Sequence, residues 1–232
     1  MRPQDPFEFK RLQKTNPVRL LFTIRARFQE FIARLKFTSF SLPVVAPDLG
    51  ALSVASYCEA DTAVTPPQMR VLLQSVLVTV DLKGAAIEIG AYRGVTTAIL
   101  AGQTARSYFA VDPYMGYGGA ESDLELMKQR VAPLKNVRHL RMTSGEARSQ
   151  HDLWVDGASF IFVDAVHDYV NARFDGHVWG GLLNSGGLMA FHDTDSKAFA
   201  GVQRAVWELL NQASGPYKLF AHVNGLVVVQ RK

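Results

Sequence analysis

The sequence predicts an α/β protein on a doubly wound, mainly parallel sheet of about seven strands. After Gly84, short apolar runs alternate with helical segments. The runs are continuously apolar, as expected of parallel strands buried on both faces. The last two are separated only by Val223-Asn224-Gly225, whose Asn-Gly pair favours a hairpin, so the final strand is expected antiparallel to its neighbour.

The elements follow in order. Over 17–37, Leu20, Ile24, Phe28, Phe31 and Leu35 recur at helical steps, and Leu21 and Ile32 widen the stripe. This is an amphipathic helix, flanked by Arg25 and Lys36. It is expected to pack on the domain body or across a homo-oligomer interface, with a lipid surface as the alternative. Residues 38–64 carry two prolines and no sustained period, which reads as a connector. Thr65-Pro66-Pro67-Gln68 starts a helix reaching about Val80, with Thr65 as N-cap. Strands are predicted over 85–89, 108–111, 137–142, 159–163, 188–191, 218–222 and 226–229. Helices are predicted over 96–103, 122–134, 145–150, 169–183 and 198–213. The chain thus divides into a basic helical arm with its connector, 1–64, and an α/β domain, 65–232.

Composition excludes several classes. Of 232 residues, 48% are apolar and 20% charged, the balance of a globular chain and not of a disordered one. The single cysteine, Cys58, excludes an internal disulfide and a Cys-based zinc framework. No apolar run is long enough to span a bilayer, and the N-terminus lacks a signal-peptide core, so a cytoplasmic location is expected, with membrane association through 17–37 as the variant. The net charge of +4 and pI near 9.2 invite a nucleic-acid partner. The charge is uneven, however: residues 1–40 hold nine basic and three acidic side chains, and the remainder is slightly acidic. A nucleic-acid partner is therefore not expected.

Ligands of a doubly wound sheet bind past the carboxyl ends of the strands. After the first strand the chain reads Glu88-Ile89-Gly90-Ala91-Tyr92-Arg93-Gly94. Two glycines permit a tight turn and close approach to a ligand. The dinucleotide pattern of three glycines is absent, and Glu88 would repel a pyrophosphate while suiting an ammonium. Asp112, 24 residues on, can accept hydrogen bonds from ribose hydroxyls. Ser144-Gly145-Glu146 follow the third strand and could edge an adenine. Ammonium, ribose and adenine together describe S-adenosylmethionine.

On these residues the sequence resembles the class I S-adenosylmethionine-dependent methyltransferases, which have a Rossmann-like fold. Glu88 to Gly94 looks like the glycine-rich first motif of small-molecule O-methyltransferases, catechol methyltransferases included. Phe162-Val163-Asp164-Ala165-Val166-His167, with Gly186-Gly187-Leu188-Met189-Ala190-Phe191-His192-Asp193, is similar to the macrolide-sugar O-methyltransferases. The resemblance implies that Gly90, Ala91, Tyr92 and Gly94 line the methionine portion. Glu88 and Asp164 would stand beside it, Asp112 would hold the ribose, and Ser144, Gly145 and Glu146 would flank the adenine.

Asp164 and His167 follow the fourth strand, and His192 and Asp193 the fifth, so these groups should converge. One reading has Asp164 and Asp193 binding Mg²⁺, with His192 nearby and His167 taking the acceptor's proton. The other has His167 or His192 as base with no metal. Tyr114 and Tyr117, in a glycine-rich loop, are candidates to cover a sugar or aromatic ring. The expected activity is methyl transfer to a hydroxyl of a small molecule or sugar. The rivals are a nicotinamide-dependent oxidoreductase and a non-catalytic, membrane-associated cofactor-binding protein.

Overall fold

A computed structural model describes residues 5–50, 52–116 and 119–232, so Tyr117 lies outside the described residues. Two helices, α1 (Pro6–Arg11) and α2 (Pro17–Leu35), precede the domain, and α3 (Pro66–Val78) opens it. The alternation then runs β1 (Ala85–Ile89), α4 (Val95–Ala101), β2 (Tyr108–Val111), α5 (Glu121–Val131), β3 (Val137–Leu140), α6 (Ser144–Arg148), β4 (Ala158–Val163), α7 (Tyr169–Gly180), β5 (Leu183–Phe191) and α8 (Ala200–Leu210). The hairpin β6 (Tyr217–Val223) and β7 (Leu226–Arg231) closes the chain.

The seven strands lie in the order β3-β2-β1-β4-β5-β7-β6. Strands β1 to β5 pair in parallel, and β7 runs antiparallel to both β5 and β6, as the Asn224-Gly225 turn predicts. The strand order reverses direction at β1, between β2 and β4, which opens a crevice past the ends of these strands. This is the doubly wound, Rossmann-like sheet expected from the alternation.

Each face of the sheet carries its own core. On one, Trp154 meets Phe109 and Trp179 edge-on at 4.9 and 5.2 Å. On the other, Met69 and Leu72 of α3 cover Phe160 and Phe162. Every position of β1 and β4 is buried, which explains their unbroken apolar character. The element bounds differ modestly from expectation. Helix α7 stops at Gly180, capped by Gly181, and β5 begins at Leu183, where the Asn184 amide donates to Lys83 O and Asp156 O.

The described part of residues 1–64 makes contacts with the domain. The carboxylate of Asp5 accepts a hydrogen bond from Thr143 Oγ1 at 2.8 Å. Phe40 packs on Trp207 at 5.3 Å, and Val45 bridges to His222 in β6. Asp61 forms ion pairs with Arg93 and Arg130 at 2.8 and 2.7 Å, fastening the connector to the turn after β1. Helix α2 corrects one expectation: its apolar stripe does not pack on the body. Ala33 is buried and Glu30 faces the body, whereas Leu20, Ile24, Phe28, Phe31 and Leu35 point to solvent.

Candidate active site

A cavity of about 440 Å³ lies past the ends of β1, β2 and β4. Its floor is the turn from β1 into α4. Gly90 has φ +96°, and a Cβ there would stand 2.0 Å from the carbonyl oxygen of Asp164. Only glycine satisfies both constraints. Gly90→Ala is expected to cost about 4 kcal/mol or more, because backbone must move. Chemical denaturation measures this, and a loss under 1 kcal/mol would contradict the packing described. Gly94, at φ +71°, starts α4 against Met127. Between them Tyr92 holds φ +45°, an unfavourable backbone for a side-chain-bearing residue.

Glu88 is fully enclosed beneath this turn. Its Oε2 accepts hydrogen bonds from Thr97 Oγ1 at 2.5 Å and Tyr108 OH at 3.2 Å. Burial pushes its carboxyl up to about 8, against the pull of the Thr97 hydrogen bond. At neutral pH it is largely the neutral acid. The expectation of a standing carboxylate that attracts an ammonium is thus corrected: a cation must displace its proton.

Asp112, at the end of β2, accepts from the backbone N–H groups of Tyr92 at 3.1 Å and Tyr114 at 2.9 Å. Burial raises its carboxyl and these two donors oppose the rise. Tyr114 is buried, with its hydroxyl donating to Tyr92 O at 2.5 Å, so it braces the turn and does not cover a ligand.

At the third position Ser144 lines the cavity, while Gly145 and Glu146 do not. Asp5 lies against the Cα of Gly145. Glu146 pairs with Arg11 at 2.7 Å and caps its own helix through Thr143 N at 2.9 Å. Two residues expected to flank an adenine are thus covered or occupied by the N-terminal segment. In their place stands Asp175 of α7, which sequence reasoning missed. Its Oδ1 accepts from Ser144 Oγ, which in turn accepts from Trp179 Nε1 at 2.7 Å. Burial pushes the Asp175 carboxyl up to about 7. An acid flanked by Phe174 and Gly176 in a helix that reads as core was the available signal.

Past β4 and β5, four groups converge as expected. Asp164, His167, His192 and Asp193 each offer one ligand atom, all within 4.8 Å of one another. His167 Nε2 lies 3.0 Å from Asp164 Oδ1 and 3.2 Å from Asp193 Oδ2. His192 Nδ1 lies 3.4 and 3.3 Å from the same two oxygens. Asp193 is held at φ +59°, a strained backbone that aims its carboxylate inward. Burial alone would raise Asp164, but the two imidazoles outweigh it and hold its carboxyl below the usual carboxylate range.

The two histidines are not equivalent. His167 lines the cavity, with Phe199 4.9 Å from its ring. His192 is 3% exposed and does not reach the cavity wall. Its Nε2–H donates to Gln68 Oε1 at 3.2 Å, and burial is outweighed by the two carboxylates, which carry the ring up to about 10. His192 thus stands behind the cavity wall, and His167 is the imidazole that meets the cavity.

Residues 87–194 match the family described as methyltransferase domain. No curated protein matches the chain in sequence. Among solved structures, the O-methyltransferase NovP is 15% identical with a TM-score of 0.59, covering 74% of this chain and 83% of its own. An O-methyltransferase from Bacillus cereus, in complex with S-adenosylhomocysteine, is 14% identical with a TM-score of 0.58, over 88% and 90%. TomG from Streptomyces achromogenes, an O-methyltransferase in complex with S-adenosylmethionine, is 16% identical with a TM-score of 0.55, over 98% and 95%. The structural likenesses show the fold. The match to the methyltransferase domain spans the Glu88–Gly94 turn and the Asp164/Asp193 cluster, and it sets aside the nicotinamide-dependent rival.

Proposed function

We propose that this protein transfers a methyl group from S-adenosylmethionine to a hydroxyl of a small molecule or sugar. The charge of the cavity wall carries the reading. Among the described residues it holds seven carboxyl side chains and no lysine or arginine. That wall suits a ligand bearing a sulfonium and an ammonium, and it repels a pyrophosphate or a nucleic-acid backbone. The oxygen acceptor is supported by the O-methyltransferases NovP and TomG, whose fold this chain shares.

Glu88 would face the ammonium across the Gly90–Gly94 turn. Asp112, which lines the cavity, would take ribose hydroxyls on its remaining lone pairs. Ser144 and Asp175 stand where an adenine edge would lie, and a carboxyl there can accept from an exocyclic amine. In the reaction the acceptor oxygen forms the new O–C bond as the C–S bond breaks. The electron pair returns to sulfur, and the hydroxyl proton passes to the protein. His167 is the group at the wall placed to receive it, oriented by Asp164 and Asp193.

The cluster also fits a divalent cation. His192 Nδ1 is buried and makes no well-directed hydrogen bond, while Gln68 fixes the opposite nitrogen as the donor. Such fixing of the second ring nitrogen accompanies metal-ligating histidines. Asp164, Asp193 and His192 Nδ1 would hold the ion and leave His167 for the proton. When bound, the ion would lower the pKa of an acceptor hydroxyl. One imidazole beside two carboxylates suits Mn²⁺ at least as well as the Mg²⁺ expected from the carboxylates alone.

Calorimetric titration with S-adenosylhomocysteine tests the core of the proposal. The protein should bind it, and Asp112→Ala should weaken binding by roughly 10- to 100-fold, the loss of one charged hydrogen-bonding group. A folded protein that does not bind, or an Asp112→Ala variant that binds equally, overturns the assignment.

A further inference from the structure

We propose that α2 docks the protein on an anionic lipid bilayer through its outward face. The helix is mounted with its apolar side out. Leu20, Leu21, Ile24, Phe28, Phe31 and Leu35 are each 55–68% exposed. The side against the body is small or polar. Ala33 is buried, the carboxylate of Glu30 accepts from Tyr169 N and Gly201 N at 3.1 Å each, and Arg204 donates to Gln29 O. Phe22, also on the inner side, stacks on Phe9 of α1 at 4.2 Å. These contacts fix the roll of the helix, so the stripe cannot turn inward without breaking them.

The charges select the occupant. Arg25, Arg27, Arg34 and Lys36 are exposed. At 100° per residue, Arg27 and Arg34 follow one edge of the stripe, and Arg25 and Lys36 follow the other. Glu30 is the acid of this helix, and it is committed to the body. Two copies pairing through this face would set cations against cations with no acid between them. An anionic headgroup layer supplies the missing counter-charge while the acyl boundary accepts Phe28 and Phe31. No helix among the described residues is long and apolar enough to cross a membrane, so α2 would lie in the interface plane. Its anchors, Tyr169 and Gly201, are two residues from His167 and Phe199 in the cavity wall, which places α2 beside the cavity.

Flotation of the full-length protein with vesicles tests this without cofactor, so its failure leaves the methyl-transfer reading untouched. The protein should float with vesicles of phosphatidylcholine containing about 30% phosphatidylserine, much less with phosphatidylcholine alone, and less at high salt. Phe28→Ser with Phe31→Ser should lower the bound fraction by roughly tenfold with an unchanged melting temperature, since both rings are exposed. Arg25→Glu with Arg27→Glu should abolish the preference for phosphatidylserine. Absence of flotation by the folded wild-type chain at low ionic strength overturns the proposal. So does a concentration-dependent dimer that Phe28→Ser with Phe31→Ser dissociates, which would assign the face to a second copy.

Discussion

Replacing His167 with alanine is expected to lower the methyl-transfer rate by about 10²- to 10⁴-fold, the usual contribution of a positioned general base. Binding of S-adenosylhomocysteine should change by no more than about twofold, because the ring meets the acceptor side of the cavity. The reasoning is geometric. His167 is the imidazole at the cavity wall, and its Nε2 stands between Asp164 at 3.0 Å and Asp193 at 3.2 Å. The two carboxylates fix the orientation of the ring. Asp193→Asn removes one of them and should lower the rate while sparing cofactor binding. Chelation separates the ion from the base. If Asp164, Asp193 and His192 hold a cation, chelator should abolish activity, and Mn²⁺ should restore it at a concentration no higher than Mg²⁺ requires. Activity indifferent to chelator removes the ion and leaves the base. An unchanged turnover number in His167→Ala removes the base.

The parts of this site that were legible from sequence are those set by neighbours along the chain. The Gly90–Gly94 turn follows from a buried strand meeting a helix, and a glycine is demanded where Cβ would strike Asp164. The strand-end positions of Asp112, Asp164 and Asp193 follow from the alternation of elements, and the parallel order then brings them together. What escaped depends on contacts between distant segments. Glu146 is taken by Arg11, and His192 is enclosed by Gln68, 124 residues away. Neither pairing leaves a local pattern. The stripe of α2 was periodic and plain, yet periodicity says only that one face seeks an apolar environment, not that this protein supplies it. Asp175 was overlooked because its helix reads as core, and its carboxyl does sit among buried side chains. The described part of residues 1–64 also proved to belong to the site, since Asp5, Phe7, Asp61 and Thr62 line the cavity.

Affinity for S-adenosylmethionine should rise with pH from about 5 toward about 8, and Glu88 is the reason. In the ligand-free protein its carboxyl is pushed up to about 8 by burial, with Thr97 and Tyr108 pulling down and Asp164 and Asp112 adding to the rise. A ligand with an ammonium near Glu88 binds the ionised form better. Below the free-protein value it must expel the proton, which costs up to about tenfold in affinity for each pH unit. Calorimetry in buffers of different ionisation enthalpy should therefore detect a proton released on binding near pH 7. The ligand's own α-amino group titrates at about 8, so the control is Glu88→Gln, in which the part of the slope due to Glu88 disappears. The same substitution reports on stability, with a sign that follows from linkage. The folded-state value lies above the ordinary 4.5, so the folded chain holds more protons than the unfolded chain between these values. Stability from this group is therefore present at low pH and lost as pH rises through about 8. Glu88→Gln should accordingly melt a few degrees higher than wild type at pH 8 or above, with the gap closing toward pH 5, while binding S-adenosylmethionine more weakly. A variant that melts lower than wild type at every pH, or one that keeps the full pH dependence of binding, would show that the buried carboxyl is not the group that meets the cofactor's charge.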